Sequence, residues 1–280
     1  MPDGILLIDK PAGPSSAQAI APLKRTGARV GHAGTLDPFA SGLLLVLVGD
    51  ATRLQALAMA LPKTYLATVR FGVETDTLDP TGAVIAKRDP GPRPEGLEAA
   101  AKAFVGEIDQ LPPAFSALKV DGKRAYDLAR RGKPVDLEPR RVVVHSVAVR
   151  EVRWPDAEIA IVSGSGFYVR SFARDFGRAL GLPAHLASLR RTHIGPFAAA
   201  DADATAVRDC LALVEAAGLP LLEVPRTAAQ AFVEGRPVAG EAAGQVAVLC
   251  EGRLIGLGRG GGPGAVLPDV VLAGARRALE

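Results

Sequence analysis

Two groups able to do chemistry lie within twelve residues of one another: His32 and Asp37, in Gly31-His32-Ala33-Gly34-Thr35-Leu36-Asp37-Pro38-Phe39-Ala40-Ser41-Gly42. An imidazole moves protons near neutral pH, and a carboxylate serves as base or nucleophile. Three glycines and a proline exclude a regular helix or a central strand for this stretch. Pro38 restricts Asp37 to extended backbone conformations. A stiff loop that presents a carboxylate is what positioned catalysis requires.

The elements that must hold this loop follow from the residues beyond it. Leu43-Leu44-Leu45-Val46-Leu47-Val48 is apolar throughout and predicts a strand buried on both faces. Lys63 to Gly72 alternates and predicts a half-exposed strand with Tyr65 near its start. Gly164-Ser165-Gly166-Phe167-Tyr168-Val169-Arg170 is a second special stretch, and as a strand it sets Tyr168 and Arg170 on one face. Glu74, Asp76 and Asp79 invite a metal, but their spacing fits no EF-hand and turn chemistry accounts for them. His185, alone in an apolar stretch, reads as structural.

The remaining elements read as follows. Ile5–Asp9 is a first strand, and Ser15 or Ser16 caps a short helix in which Pro22 forces a kink or an end. Helices are expected over Ala51–Leu61, Glu95–Val105, Lys123–Gly132, Ser171–Leu180, Ala184–Arg191 and Thr205–Ala217. Val142–Val149 and Glu158–Ser163 read as paired strands. From Ala228 onward short Val-rich strands and glycines suggest a small all-β module.

The chain has 280 residues, 48% of them apolar and 22% charged, which suits an ordinary globular protein with a sizeable core. Cys210 and Cys250 stand in no ligand spacing, which argues against a disulfide framework or a zinc site and suits the reducing cytoplasm. The N-terminus lacks the basic start of a signal peptide, and no stretch has the length of a membrane span. Residues 112 to 141 carry eight Lys or Arg against four acids, an excess of four in a chain whose net charge is +3. A second cluster contains Arg170, Arg174, Arg178, Arg190 and Arg191. Clustered positive charge is either a polyanion-binding surface or a solvated face. The proline-opened basic insertion favours a clamp on a polyanion.

Taken in order, these motifs resemble the TruB-type tRNA pseudouridine synthases. The resemblance rests on Leu7-Ile8-Asp9-Lys10-Pro11, the Gly31–Leu44 stretch, Lys63-Thr64-Tyr65, Pro112-Pro113-Ala114-Phe115-Ser116-Ala117-Leu118-Lys119 with Gly122-Lys123, Gly166–Ser171 and Leu189-Arg190-Arg191-Thr192. It implies conversion of the T-loop uridine of tRNA (position 55 in the usual tRNA scheme) to pseudouridine by base flipping, with no cofactor and no metal. Asp37 matches the catalytic aspartate, acting as nucleophile or base, and Arg170 the arginine that pairs with it, expected to lower its pKa. Tyr65 matches the tyrosine that stacks on the target base, Tyr168 and Leu189 further pocket positions, and His32 the histidine that wedges among the T-loop bases. Lys10 and Pro11 match a motif that supports the loop.

The resemblance further implies an α/β (mixed α+β) pseudouridine-synthase catalytic domain with a central, largely antiparallel sheet. That domain is expected over residues 1–225, with a thumb-like insertion at about 112–141 that brings Lys119, Lys123 and Arg124 to the RNA. Residues 226–280 are expected to form a PUA-like RNA-binding domain. The implied partner is the tRNA T arm, with no obligatory protein partner, a monomeric state, no membrane and a cytoplasmic location.

Overall fold

The computed structural model describes residues 3–116, 119–120, 123–124, 137–262 and 264–274, the two short pairs by backbone alone. A ten-stranded mixed sheet dominates. Its main path runs Asp203–Arg208, Gly4–Lys10, Ser41–Val48, Ala184–Ile194, Lys63–Phe71, Asp156–Ser163, Arg140–Arg153, Gly106–Gln110. Neighbours on this path pair antiparallel except Ser41–Val48 with Ala184–Ile194, which run parallel. The sheet is thus largely antiparallel, as expected.

The Ser41–Val48 strand is buried on both faces because its alternate side chains enter different cores. Leu43, Leu45 and Leu47 join one cluster with Ile5 and Leu7, while Leu44, Val46 and Val48 join another with Leu6 and Ile20. Burying each such side chain stabilises the fold by roughly 1.5–3 kcal/mol. On the far half of the sheet, Phe172 and Phe176 of the Val169–Ala179 helix pack on Phe71 and Phe104. A second, five-stranded sheet runs Leu221–Glu223, Gln245–Cys250, Arg253–Gly260, Ala265–Val271, Val238–Ala239, and the Arg226–Val233 helix packs on it. Ala247, Leu249 and Leu257 of this sheet belong to the same cluster as Leu43 and Leu45, so one core is continuous between the two sheets.

Several local expectations give way to tertiary context. Ala184–Arg191 is not a helix but most of the strand Ala184–Ile194. Its Ala, Leu and Arg content favours a helix. The slot between two strands, where it pairs over its whole length with Lys63–Phe71, overrides that preference. Thr205–Ala217 divides into the strand Asp203–Arg208 and the helix Leu211–Ala216. Tyr168 and Arg170 do not share a strand. The helix starts at Val169, because Val169, Phe172 and Phe176 recur at helical spacing against the core. Lys123–Arg124 is a short strand paired with Lys119–Val120, not a helix start, and residues 125–132 lie outside the described residues. Ser15 forms the expected cap with Gln18, and Pro22 opens a second short helix, Ala21–Lys24, after a break at Ile20.

Gly42 ends the glycine-rich loop at φ +107°, and a Cβ there would stand 2.2 Å from the Arg191 carbonyl oxygen. The backbones of two adjacent strands approach too closely there for a side chain. Gly42→Ala is expected to destabilise the fold by more than about 2 kcal/mol, read as a fall in Tm. Gly96→Ala, with φ −87° and open space around it, is the control and leaves Tm unchanged.

Candidate active site

The loop that follows the Val30–His32 strand is irregular, so its shape must come from bonds to its surroundings. The Lys10 ammonium, fully buried at the end of the first strand, donates to Pro11 O (2.8 Å), Pro14 O (2.9 Å), Pro38 O (3.4 Å) and Ala40 O (2.6 Å). Burial pushes its pKa down, and Asp37 pulls it back up. Ser16 Oγ donates to Leu36 O (3.0 Å) and accepts from Leu36 N (2.8 Å). Gly13 N donates to Pro38 O at 2.7 Å. Asp37 is therefore held by bonds to its neighbours on both sides.

Its carboxylate meets Arg170 in a two-point contact. Arg170 Nε lies 2.8 Å from Oδ2, and Nη2 donates to Oδ1 at 3.1 Å. A forked, charge-assisted pair fixes orientation as well as distance. The same guanidinium donates to Thr77 O and Phe115 O, each at 2.9 Å, and stands 3.6 Å from Asp79 Oδ2. Arg170 thus joins the loop, the 76–82 turn and the root of the basic insertion.

The expected downward shift of Asp37 is not what the site produces. Burial is the largest influence and raises its pKa; Arg170 opposes it, and the nearby Asp79 adds to the rise. The sequence shows the opposite charge but not how much water the fold removes.

Asp37, Tyr65, Tyr168, Arg170 and Leu189 line one cavity of about 250 Å³. Thr35, Met59 and Ser116 complete much of its wall. Tyr65 rises from the Lys63–Phe71 strand, 8% exposed. Beside it, burial brings the pKa of Lys63 down to about 8, and its ammonium donates to Met59 O. The Gln110 amide grips the Tyr168 backbone, donating to its carbonyl (3.1 Å) and accepting from its N–H (2.8 Å). Burial raises the pKa of the Tyr168 phenol. His32 stands outside this cavity's lining, its buried Nδ1 without a hydrogen-bond partner among the described residues, and burial lowers its pKa. Lys119, Lys123 and Arg124 lie on the two-strand ribbon beyond Ser116.

Asp79 is the site residue that sequence reasoning passed over. The turn reading is correct as far as it goes: Oδ1 accepts from Thr77 Oγ1 (2.7 Å), Thr81 N (2.9 Å) and Thr81 Oγ1 (2.6 Å). The other oxygen faces Arg170, and Leu78, at φ 61°, turns the backbone so that it does. Its only signal in the sequence was an acid in a turn already rich in acids. His185 is structural, as expected: its Nδ1 lies 2.8 Å from Val73 O. Among the described residues no group of three or more His, Cys, Asp or Glu could hold a metal ion, and no helix is long and apolar enough to cross a membrane.

The fold defines the class, that of the pseudouridine synthases. A protein in a crystal structure of a Cbf5-Nop10-Gar1 complex superposes with a TM-score of 0.71 at 25% identity, covering 95% of this chain and 83% of the other. A chain in a structure of an H/ACA RNP bound to a substrate RNA containing 2′-deoxyuridine gives 0.70 at 24% identity, covering 96% and 84%.

Residues 23–169 match the TruB family pseudouridylate synthase N-terminal domain, and residues 170–218 the tRNA pseudouridylate synthase B C-terminal domain. The tRNA pseudouridine synthase B of Bordetella pertussis is 47% identical over 202 residues, 70% of this chain and 82% of its own length. That of Aromatoleum aromaticum is 40% identical over 281 residues, 95% of this chain and 91% of its own. The chain belongs to the TruB family.

The opposing influences on Asp37 can be read without substrate. In a carbon-detected NMR titration its carboxyl should titrate above the ordinary range near 4. Arg170→Gln, which removes the strongest charge holding it down, should move it higher still. A titration that falls on removing Arg170 would reverse the assignment of causes.

Proposed function

We propose that this chain isomerises the T-loop uridine at position 55 of tRNA to pseudouridine. The observation that carries the reading is the forked Asp37–Arg170 pair, set in one cavity with Tyr65, Tyr168 and Leu189. Relatives named as tRNA pseudouridine synthases, alike over most of the chain, support tRNA as the substrate. The reaction breaks the bond from N1 of uracil to C1′ of ribose, turns the base, and joins C5 to C1′. N1 gains a proton and C5 loses one, so atoms and charge balance with no cofactor. Asp37 serves as nucleophile or base toward the flipped nucleotide, and Arg170 holds its carboxylate in place and in the ionised form. Tyr65 stacks on the extruded uracil, because a base taken out of its stack needs a new partner for its face. Tyr168 and Leu189 enclose it, and His32 occupies the space it left among the T-loop bases.

In this reading residues 1–225 form the catalytic domain, with the 112–141 insertion as a thumb whose Lys119, Lys123 and Arg124 meet phosphates. Residues 226–280 form a PUA-like RNA-binding domain, its edge extended by the Leu221–Glu223 strand. The protein works on tRNA as a monomer, without an obligatory protein partner, in the cytoplasm.

The direct test incubates the protein with an unmodified tRNA transcript and maps pseudouridine, which should appear at the T-loop position. Asp37→Asn should abolish it while tRNA binding stays within about tenfold, or roughly 1.4 kcal/mol; turnover by that variant would remove the central role of Asp37. Replacing Lys123 and Arg124 by Ala should weaken tRNA binding and flatten its dependence on log salt, by about one unit of slope for each phosphate that is no longer neutralised. An unchanged slope would make those charges a solvated face.

A further inference from the structure

Arg191 carries the inference. It lies on the Ala184–Ile194 strand, between the strand that continues the catalytic loop and the strand that carries Tyr65. Its register partner on one side is Gly42, the last residue of the loop, and on the other side Tyr65 itself. Its side chain is 1% exposed. Nε donates to Leu43 O at 2.8 Å and Nη2 to Gly34 O at 3.0 Å, so the guanidinium grips the loop just past one end and near the other. As cross-strand partners, Arg191 and Tyr65 stand side by side, close enough for the guanidinium and the Tyr65 phenol to act on one another electrostatically. Its Nη1 lies 3.3 Å from where a Cβ on Gly34 would stand, so the loop closes directly over it.

The chemistry of this placement is unusual for a packing residue. Among the described residues no ion pair joins Arg191 to an Asp or Glu. A guanidinium withdrawn from water without a carboxylate costs stability that a Met or Leu of similar volume would not. Burial accordingly lowers its pKa, and its charge bears down on the neighbouring Lys63, Lys10 and His32. What a planar fork offers in return is several fixed donors in one plane, which neither an apolar side chain nor the rotating ammonium of lysine reproduces.

We propose that Arg191 is a positioning residue for the isomerisation: it holds the loop bearing Asp37 and the ring of Tyr65 at a fixed separation, so that the carboxylate and the base platform face one another across the cavity. It reaches no substrate atom itself and works through Gly34, Leu43 and Tyr65. The assignment rests on the proposed roles of Asp37 and Tyr65.

The test uses the full chain and an unmodified tRNA transcript, with Arg191→Lys and Arg191→Met compared with wild type. Single-turnover pseudouridine formation should fall by about tenfold or more, with tRNA Kd within about threefold, as for a residue that acts on the chemical step. The acid limb of the rate–pH profile should stay in place, since Arg191 is not among the charges that act on Asp37. The cost of Arg191→Lys should shrink in a Tyr65→Phe background, where the neighbouring hydroxyl is already gone. Hydrogen exchange should quicken over residues 33–42 and not over residues 5–8, a readout that needs no turnover. Wild-type rates per folded molecule, multiplicative effects of the two substitutions, or unchanged exchange in the loop would each overturn the proposal. Where Arg191→Met does not fold, Arg191→Lys, which keeps the buried charge, decides. A wild-type protein that leaves the T loop unmodified overturns the functional reading; an active wild type with an equally active Arg191→Lys overturns this inference alone.

Discussion

The structure turns on one electrostatic constraint: a carboxylate withdrawn from much of its water is paired with a buried guanidinium. Asp37 keeps 34% of its side-chain exposure, and the surrounding protein nonetheless raises its pKa. The counterweight is a guanidinium 133 residues away in sequence, itself only 7% exposed. Neither group is comfortable alone. An unpaired buried arginine is costly, and an unpaired buried carboxylate takes up a proton. The pair therefore requires that the loop and the start of the Val169–Ala179 helix be held together independently of it.

That holding falls largely to cations bonded to backbone carbonyls. Lys10 binds the Pro38 and Ala40 oxygens just past Asp37, Arg191 binds Gly34 and Leu43, and Arg170 binds Thr77 and Phe115 besides its carboxylates. A loop rich in Gly and Pro leaves many carbonyls without strand or helix partners, and each buried one must be satisfied. Long cationic side chains can reach such carbonyls from neighbouring elements. The cost is visible in the lowered pKa values of Lys10 and Arg191. Gln110 and Leu111 extend the scheme to the root of the basic insertion: Gln110 clasps Tyr168, and Ser171 and Arg174 donate to Leu111 O. The insertion is thereby fastened to the turn of helix that presents Arg170.

Much of this is legible in the residues alone. The loop can be read because glycine, proline and a following apolar run leave few backbone options. The double burial of Ser41–Val48 follows from its lack of alternation. What cannot be read has a common cause. The Ala184–Ile194 strand is held by partners more than a hundred residues away, and its composition favours a helix. Arg191 looks like one more arginine in a basic cluster because one-residue offsets decide whether a side chain faces solvent or core, as the neighbouring Arg190 shows by reaching out to Asp9. Asp79 is hidden for another reason: the turn that explains one of its oxygens conceals the other.

The sign of the Asp37 shift carries a consequence for the whole fold. A carboxyl with a folded-state pKa above its unfolded value contributes stability that is fully present below the unfolded pKa. That contribution is lost as pH rises through the folded pKa. At the pH where the anion is present, the site therefore works against folding, and the apolar clusters around Leu43–Val48 and Phe172 must offset it. This accounts for an otherwise odd arrangement, in which an irregular loop runs directly into a strand buried on both faces. A carboxylate held in an unfavourable state can be kept in one geometry only by a neighbourhood that cannot relax around it, and a strand packed on both faces is such a neighbourhood.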